Sequence, residues 1–508
     1  MDHPIFDGFA TLFTSGWALF YAVLGTTIGL IAGATPGLTA SAAISMLIPL
    51  TFYLDPMAAL IFVYTIGKAS SFGGSIPAIL FNTPGTPQAS ATQLEGYPLT
   101  QQGKQGKALK MAVIASALGD TFSELLLIFG AAFIAIYTVK MGPPEIFAVF
   151  CCAFVIIGSV IGKSVVKGLI STLLGILLAM VGLDPITGMP RYDFGFAYLQ
   201  GGIGLVPLLL GVFVASEVFV QIANRGALGA ERMLSKRSDK PEDNHVTWPE
   251  FTRCIPVMAK STGMGTVIGM LPGIGASAAC FVAYAEAKRS SKTPEKWGNG
   301  AIEGVAAAEA ANNSVSGANL IPLLTLGIPG SVLAALLGGV FLIHGMQIGP
   351  KVFVESQSIV YGLFASGLLC IGLYFLMGYF GSTLIGRIIA IMPVRAIYPF
   401  IFITSIVAVY ALRNTLFDVA AMCVFGLVGY VLKKFDYSLP AFIIAFILGP
   451  GAEESLRQSL MLSADGWGIF LDRPVAIIFI LLAVSIVGIR VYQTKRAGNG
   501  AAQPEMAD

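Results

Sequence analysis

Few residues in this chain carry side chains that could do chemistry, and most of them lie inside apolar runs. Lys68 follows the apolar stretch Leu60 to Gly67, while Asp120 and Glu124 sit within the next apolar run. A lysine there either attracts an anionic substrate or pairs with one of those carboxylates, and charge inside a membrane segment is functional by default. Glu309 and Glu217 are candidates for proton or ion coupling, whereas Glu303 lies near a loop, where a solvated face fits better. Polar residues gather around two Pro-Gly steps. Ser70, Ser71, Ser75, Asn82, Thr83, Thr86 and Gln88 surround Pro84-Gly85. Asn312, Asn313, Ser314, Ser316, Asn319, Thr325 and Ser331 surround Pro329-Gly330. Exposed carbonyls with Asn and Thr oxygens suit a sodium ion, and helix N-termini suit a carboxylate.

Catalytic signatures are missing. The histidines, His3, His245 and His344, are scattered and form no HExxH or triad pattern, and no phosphate loop occurs. None of the six cysteines makes a C-x-x-C pair. No catalytic residue is assigned, and the one metal these residues suit is a coupling sodium ion.

The elements that hold these residues must be membrane helices. Of 508 residues, 56% are hydrophobic and 11% charged, and mean hydropathy is +0.80. A soluble chain carries about 25% charged residues, so this one cannot cover a large water-facing surface. A net charge of +2 also argues against a nucleic-acid partner. A spanning helix needs roughly 20 apolar residues. Candidate spans are 112–137, 145–161, 165–183, 198–222, 357–380, 396–412, 415–432 and 474–494. Further apolar stretches at 16–54, 57–92, 257–285 and 304–347 are interrupted by Gly and Pro, and 437–449 is too short to span untilted. The fold expected is an all-α polytopic membrane protein of about 11–12 segments, some of them broken or re-entrant. The run from Trp17 is long enough to stay in the membrane rather than be cleaved as a signal peptide.

Basic residues mark the cytoplasmic side, which places both the hydrophilic stretch near 224–256 and the tail 495–508 there. The chain then reads as a first membrane half, 1–223, a linker, 224–256, a second half, 257–494, and the tail.

The two halves resemble each other. Gly29-Leu-Ile-Ala-Gly33-Ala-Thr-Pro36-Gly37-Leu-Thr-Ala40-Ser41 aligns without a gap to Gly265-Thr-Val-Ile-Gly269-Met-Leu-Pro272-Gly273-Ile-Gly-Ala276-Ser277. Ile76-Pro77 precedes Pro84-Gly85 by the step that separates Ile321-Pro322 from Pro329-Gly330. Proline removes a backbone donor and glycine admits unusual dihedrals, so each step breaks a helix. Paired broken helices in two repeats point to a transporter's binding site. Counting crossings between basic clusters places the two repeat ends on opposite sides, as an inverted repeat would. The substrate- or ion-binding candidates are Thr35, Pro36, Gly37, Ser75, Asn82, Thr83, Pro84, Gly85, Thr86, Pro272, Gly273, Asn312, Asn313, Asn319, Pro329 and Gly330. Lys68, Asp120, Glu124 and Glu309 are the charge or coupling candidates.

These motifs resemble a known family. Gly33-Ala-Thr-Pro-Gly-Leu-Thr-Ala40, Gly73-Gly-Ser-Ile-Pro-Ala-Ile-Leu-Phe-Asn-Thr-Pro-Gly-Thr-Pro87 and Gly269-Met-Leu-Pro-Gly-Ile-Gly-Ala276 look like the large membrane subunit of bacterial tripartite tricarboxylate transporters, the TctA family. Glu309-Ala-Ala-Asn-Asn313 and Leu326-Gly-Ile-Pro-Gly330 look like its second half. The resemblance implies a multi-pass protein of the bacterial inner membrane that works with a small membrane subunit and a periplasmic solute-binding protein. It implies uptake of tricarboxylates or other organic carboxylates, driven by a sodium or proton gradient, with the Pro-Gly tips as gates. A symporter that needs no binding protein is the alternative, and an ion channel a more distant one, since discrete interrupted helices do not make an open polar pore.

Overall fold

The structure is a computed structural model that describes residues 4–35, 37–160, 164–184, 186–223, 238, 240–391, 394–463 and 466–500. It divides into two compact units: residues 1–139 with 205–430, and residues 140–204 with 431–508. These units do not follow the two sequence halves, because each gathers segments from both.

In chain order the first unit opens with α1 (Pro4–Thr14), α2 (Gly16–Ala34), α3 (Ala40–Thr51), α4 (Pro56–Gly73), α5 (Ser75–Phe81), α6 (Ala89–Gln101) and α7 (Gln105–Leu126). A π turn at Leu127–Ala131 carries α7 into α8 (Ala132–Thr138). The second unit contributes α9 (Pro143–Val160), α10 (Val165–Ala179) and α11 (Ala197–Gln200). Strands β1 (Gly182–Leu183) and β2 (Pro190–Arg191) form a two-residue antiparallel pair. The first unit resumes with α12 (Leu205–Leu209), which runs through a π turn into α13 (Ser216–Ala223). It continues with α14 (Pro241–Asn244), α15 (Trp248–Met270), α16 (Gly275–Ser290), α17 (Ile302–Ala318), α18 (Leu320–Leu326) and α19 (Val332–Ile343). Then come α20 (Val352–Glu355), α21 (Gln357–Ile391), α22 (Val394–Arg413) and α23 (Leu416–Lys434), whose last turn belongs to the second unit. The second unit closes with α24 (Leu439–Leu462) and α25 (Pro474–Gly500).

Among the described residues six helices are long and apolar enough to cross a bilayer: 16–34, 105–138, 205–223, 357–390, 416–434 and 439–462. Shorter apolar helices cover 40–51, 143–159, 165–179, 332–343, 398–413 and 474–488. The protein is therefore a helical, multi-pass membrane protein, with one two-residue strand pair outside its helices.

All four interrupted stretches are broken where the Pro and Gly residues stand. The first ends at Ala34 and restarts at Ala40, with Thr39 as N-cap: its Oγ1 accepts from Ala42 N at 3.2 Å. Its counterpart ends at Met270 and restarts at Gly275. Gly37 and Gly273 occupy the same left-handed conformation, φ +91° and +92°, which a residue with a β-carbon rarely adopts. The other pair breaks at Asn82–Gln88 and at Gly327–Ser331.

The matched glycines have a packing role. A β-carbon on Gly29 or Gly33 would run into the α4 backbone at Ile66 and Ser70. On Gly265 or Gly269 it would meet α17 at Ala311 and Val315. Small residues let helix backbones approach closely in a membrane, so each broken helix lies tight against the long helix that follows.

Two expectations need correction. The apolar segment 437–449 does not stop short, since α24 continues through Pro450-Gly451 to Leu462. Pro450 and Gly451 disfavour helix, but the residues that follow, Ala452 to Leu462, are mostly strong helix formers that carry the helix past them. The linker 224–256 is also shorter than composition suggests. Residues 248–256 are already helix, because Thr247 and Glu250 form a capping box that starts α15. Most of the remaining linker, 224–237 and 239, and Pro36 lie outside the described residues.

Candidate functional site

Two fully buried polar networks meet on one face of α7. Ser116, Asp120, Ser123 and Glu124 recur at helical spacing, so all four side chains share a stripe. Gly119 and Gly317 allow the α7 and α17 backbones to touch, which holds that stripe against α17.

The first network is a charge cluster. Lys68 Nζ on α4 lies 2.6 Å from Asp120 Oδ1 and 2.6 Å from Glu124 Oε2, and all three side chains are 0% exposed. Tyr64, one turn before Lys68, donates its hydroxyl to Glu124 Oε2 at 2.6 Å. Tyr374 on α21 donates to Asp120 Oδ2 at 3.1 Å and stacks on Phe72. Lys68 therefore pairs with both acids rather than standing as a free cation. Two carboxylates against one ammonium leave the cluster formally one negative charge in excess, and burial makes an uncompensated charge costly.

The second network surrounds Glu309 on α17. Its Oε1 accepts from Ser75 Oγ at 2.5 Å and from Thr92 Oγ1, and its Oε2 accepts from Ser116 Oγ at 2.8 Å. Asn313 Nδ2, one turn on, donates to Ser116 Oγ at 2.8 Å and reaches Glu309 Oε2 at 3.4 Å. Asn312 Nδ2 donates to the Ser71 carbonyl at 3.2 Å. The carbonyl oxygens of both Asn312 and Asn313 are buried without a hydrogen-bond partner. Carried at the register of Ile76-Pro77 and Ile321-Pro322, Tyr64 and Lys68 fall at the positions of Glu309 and Asn313. Both networks thus hang from corresponding turns of the two long helices.

A small cavity opens beside the charge cluster. Tyr64, Gly67 and Lys68 of α4 form one wall, Ser316 and Asn319 another, and Leu333 and Ala334 in the first turn of α19 a third. Ser331 caps that turn by accepting from Ala334 N at 3.1 Å.

The break residues themselves are spread out. Asn82 adopts φ +55° at the exposed tip of its break, and Gln93 Nε2 donates to its Oδ1 at 2.6 Å. Thr83 and Pro84 are half-buried, and Gly85 N donates to the Gly74 carbonyl at 3.0 Å. Thr86 is buried against Gly74, and its hydroxyl has no partner. In the second half, Gly273 N donates to the Gly330 carbonyl at 3.1 Å, which joins Pro272-Gly273 to Pro329-Gly330. Thr35 Oγ1 donates to the Ile31 carbonyl at 2.7 Å, within its own helix, and Gly37 lies against the Tyr398 hydroxyl. Of the candidates named from sequence, Ser75, Asn313 and Glu309 come together in one network, and Lys68, Asp120 and Glu124 in the other. Glu303 is taken up elsewhere, at 2.7 Å from Arg253 Nε.

Thr92, Ser116, Tyr64 and Tyr374 were not foreseen. Ser116 carries a readable signal, since it lies one turn before Asp120 on an apolar helix. Thr92 carries none, because only packing brings α6 beside α17.

The family match agrees with the membrane architecture. A family model described as "Tripartite tricarboxylate transporter TctA family" matches residues 19–444. An Agrobacterium vitis protein described as "Uncharacterized 52.8 kDa protein in TAR-I ttuC' 3'region" is 32% identical over 483 residues, 94% of each chain. A second from that organism, "Uncharacterized protein in TAR-II ttuC' 3'region", is 37% identical over 214 residues, 42% of this chain and 87% of its own. Among solved structures, the transmembrane domain of a cyanobacterium bicarbonate transporter BicA aligns over 90% of this chain and 97% of its own, at 13% identity and a TM-score of 0.19.

Proposed function

The chain belongs to the tripartite tricarboxylate transporter TctA family, and from that premise we propose that it forms the translocation route of a secondary transporter importing organic carboxylates. The observation that carries this reading is the cavity between Lys68, Asn319 and the first turn of α19, which in this conformation is about water-sized and would widen to admit a carboxylate. A substrate carboxylate would be received there by the Asn319 amide and the positive end of α19, with the Lys68 ammonium behind them. Lys68 is already shared by two acids, so it would orient the anion rather than neutralise it.

The reading includes two inverted repeats that rock about this cavity, with Thr35-Pro36-Gly37, Asn82-Thr83-Pro84-Gly85-Thr86, Pro272-Gly273 and Pro329-Gly330 as their hinges and gates. The contact of Gly273 with Gly330 supports it, since movement at one break would be felt at the other. A small membrane subunit and a periplasmic solute-binding protein would complete the system in a bacterial inner membrane. Tricarboxylates or related organic acids are the substrate class, and a sodium or proton gradient the driving force.

The test is uptake of labelled citrate and other carboxylates into proteoliposomes holding this chain and its small partner. Sodium and proton gradients are imposed separately, with and without a candidate binding protein. Saturable uptake that needs the binding protein and one gradient is expected. Saturable uptake without the binding protein would replace the tripartite mechanism with a simple symporter. Non-saturating flux would indicate a channel.

A further inference from the structure

A groove of about 380 Å³ runs along a second face of α7, turned away from the stripe that carries Asp120 and Glu124. Ile114 and Leu118 of α7 form one wall, Trp248 and Phe251 of α15 another, and Phe375 and Tyr379 of α21 the third. The lining is apolar almost throughout, and Leu118 and Trp248 are exposed. Nothing in the proposed transport route passes through it.

One end of the groove is basic. Lys110, one turn before Ile114, brings its ammonium to 2.8 Å from His245 Nδ1 and 5.0 Å from the centre of the Tyr379 ring. Lys110 and His245 are 135 positions apart, so only packing brings them together. Glu250, the acid in the first turn of α15, is taken up by Lys107 at 2.6 Å and so does not cancel Lys110. Away from that end the walls run into the membrane. Ile114 and Leu118 follow Lys110 at helical spacing along a helix long enough to span, and Phe375 lies one turn beyond Tyr379.

A basic mouth leading into an apolar groove has the polarity of a phospholipid. Trp and Tyr mark the headgroup level of a membrane protein, and basic pockets between membrane helices receive anionic headgroups. An ammonium has three donors, so Lys110 can add a phosphate oxygen to the contacts it already makes. A partner's membrane helix could cover the apolar walls, but nothing in it calls for a cation at one end, whereas a lipid couples its phosphate to its chain. We propose that this groove binds one anionic phospholipid, its phosphate held by Lys110 and His245 and an acyl chain laid along Ile114, Leu118 and Phe375. The lipid bridges α7, α15 and α21, so occupancy strengthens the packing of three helices distant in sequence. The site rests on membrane residence and not on the transport reading.

The experiment titrates the purified full chain, in dodecyl maltoside, with dioleoyl phosphatidylglycerol or dioleoyl phosphatidylcholine. Native mass spectrometry counts the bound lipid, and the thermal unfolding midpoint follows stability. Saturable binding of a single phosphatidylglycerol, at least about fivefold tighter than phosphatidylcholine, is expected with a raised midpoint. Lys110→Ala combined with His245→Ala should bring the two lipids to equal affinity. Ala117→Phe, which fills the groove, should weaken both, and each variant is taken forward only if it elutes like the wild type in gel filtration. Equal affinity of the wild-type chain for the two lipids overturns the site, as does a preference retained in the double variant. A midpoint raised as far by glycerol phosphate as by the lipid also overturns it, because the chain would then contribute nothing. Crosslinking of Leu118→Cys to the small membrane partner, without a lipid preference, would assign the groove to a protein contact instead. Phosphatidylglycerol binding with no carboxylate uptake in proteoliposomes supports the site and removes the transport reading.

Discussion

Ser75 donates its hydroxyl to Glu309 at 2.5 Å, across 234 positions of sequence. Ser75 opens the short helix after the break at Gly74, and Glu309 lies in the middle of α17. The contact ties an interrupted helix of the first half to the long helix of the second, at a point where neither is exposed. A change in the charge state of Glu309 is therefore a change in how the two halves hold each other.

The Lys68 cluster should be sensitive to neutralising one partner and tolerant of neutralising all. Lys68→Met leaves Asp120 and Glu124 buried with no cation, at an expected cost of about 3–5 kcal/mol. The triple variant Lys68→Met, Asp120→Asn, Glu124→Gln should recover most of that. Denaturant unfolding in detergent measures both. A single variant as stable as the wild type would show that the acids are not ionised together.

Asn82 separates backbone from side-chain roles. Its φ of +55° favours Asn or Gly, so Asn82→Ala should cost on the order of 1 kcal/mol and Asn82→Gly less. Both variants lose the Gln93 bond to the amide oxygen and keep the one to the backbone carbonyl. If the amide serves transport, both slow uptake equally despite their different stabilities, as paired uptake and unfolding assays would reveal.

Close packing at the breaks gives a third expectation. A β-carbon on Gly85 would collide with the Gly33 carbonyl, whereas on Gly330 it would lie 2.9 Å from the Asn319 carbonyl oxygen. Gly85→Ala should destabilise by about 1–3 kcal/mol, and Gly330→Ala by less. The order of their thermal midpoints decides it.

Asp184 in the second unit should set an acid limit. Backbone hydrogen bonds from Thr187 and Ile186, with Arg457 beside them, hold its carboxyl down at about 2. An unfolded aspartate titrates near about 3.9, so the folded value is the lower one. Its stabilisation is complete above the unfolded value of about 3.9 and is lost as pH falls from there through about 2. Asp184→Asn should flatten the acid limb of the unfolding midpoint in this range. An unchanged limb would mean that another group governs it.

Much of the architecture was legible because its causes are local. Too few charges to cover a water-facing surface force the chain into lipid, and each Pro-Gly step interrupts a helix wherever the rest of the protein packs. The positions of the breaks, and of Gly29, Gly33, Gly265 and Gly269, followed from residue types alone. The polar networks did not. Sequence left Lys68 open between anion receptor and ion pair, and only the packing of α4 against α7 settled it in favour of two carboxylates. Thr92 and Ser116 join Glu309 from 217 and 193 positions away. The division into compact units likewise cuts across the two sequence halves. Periodicity tells a helix which face to bury but not which helix will cover it, so the partners of each buried charge were decided by the tertiary structure.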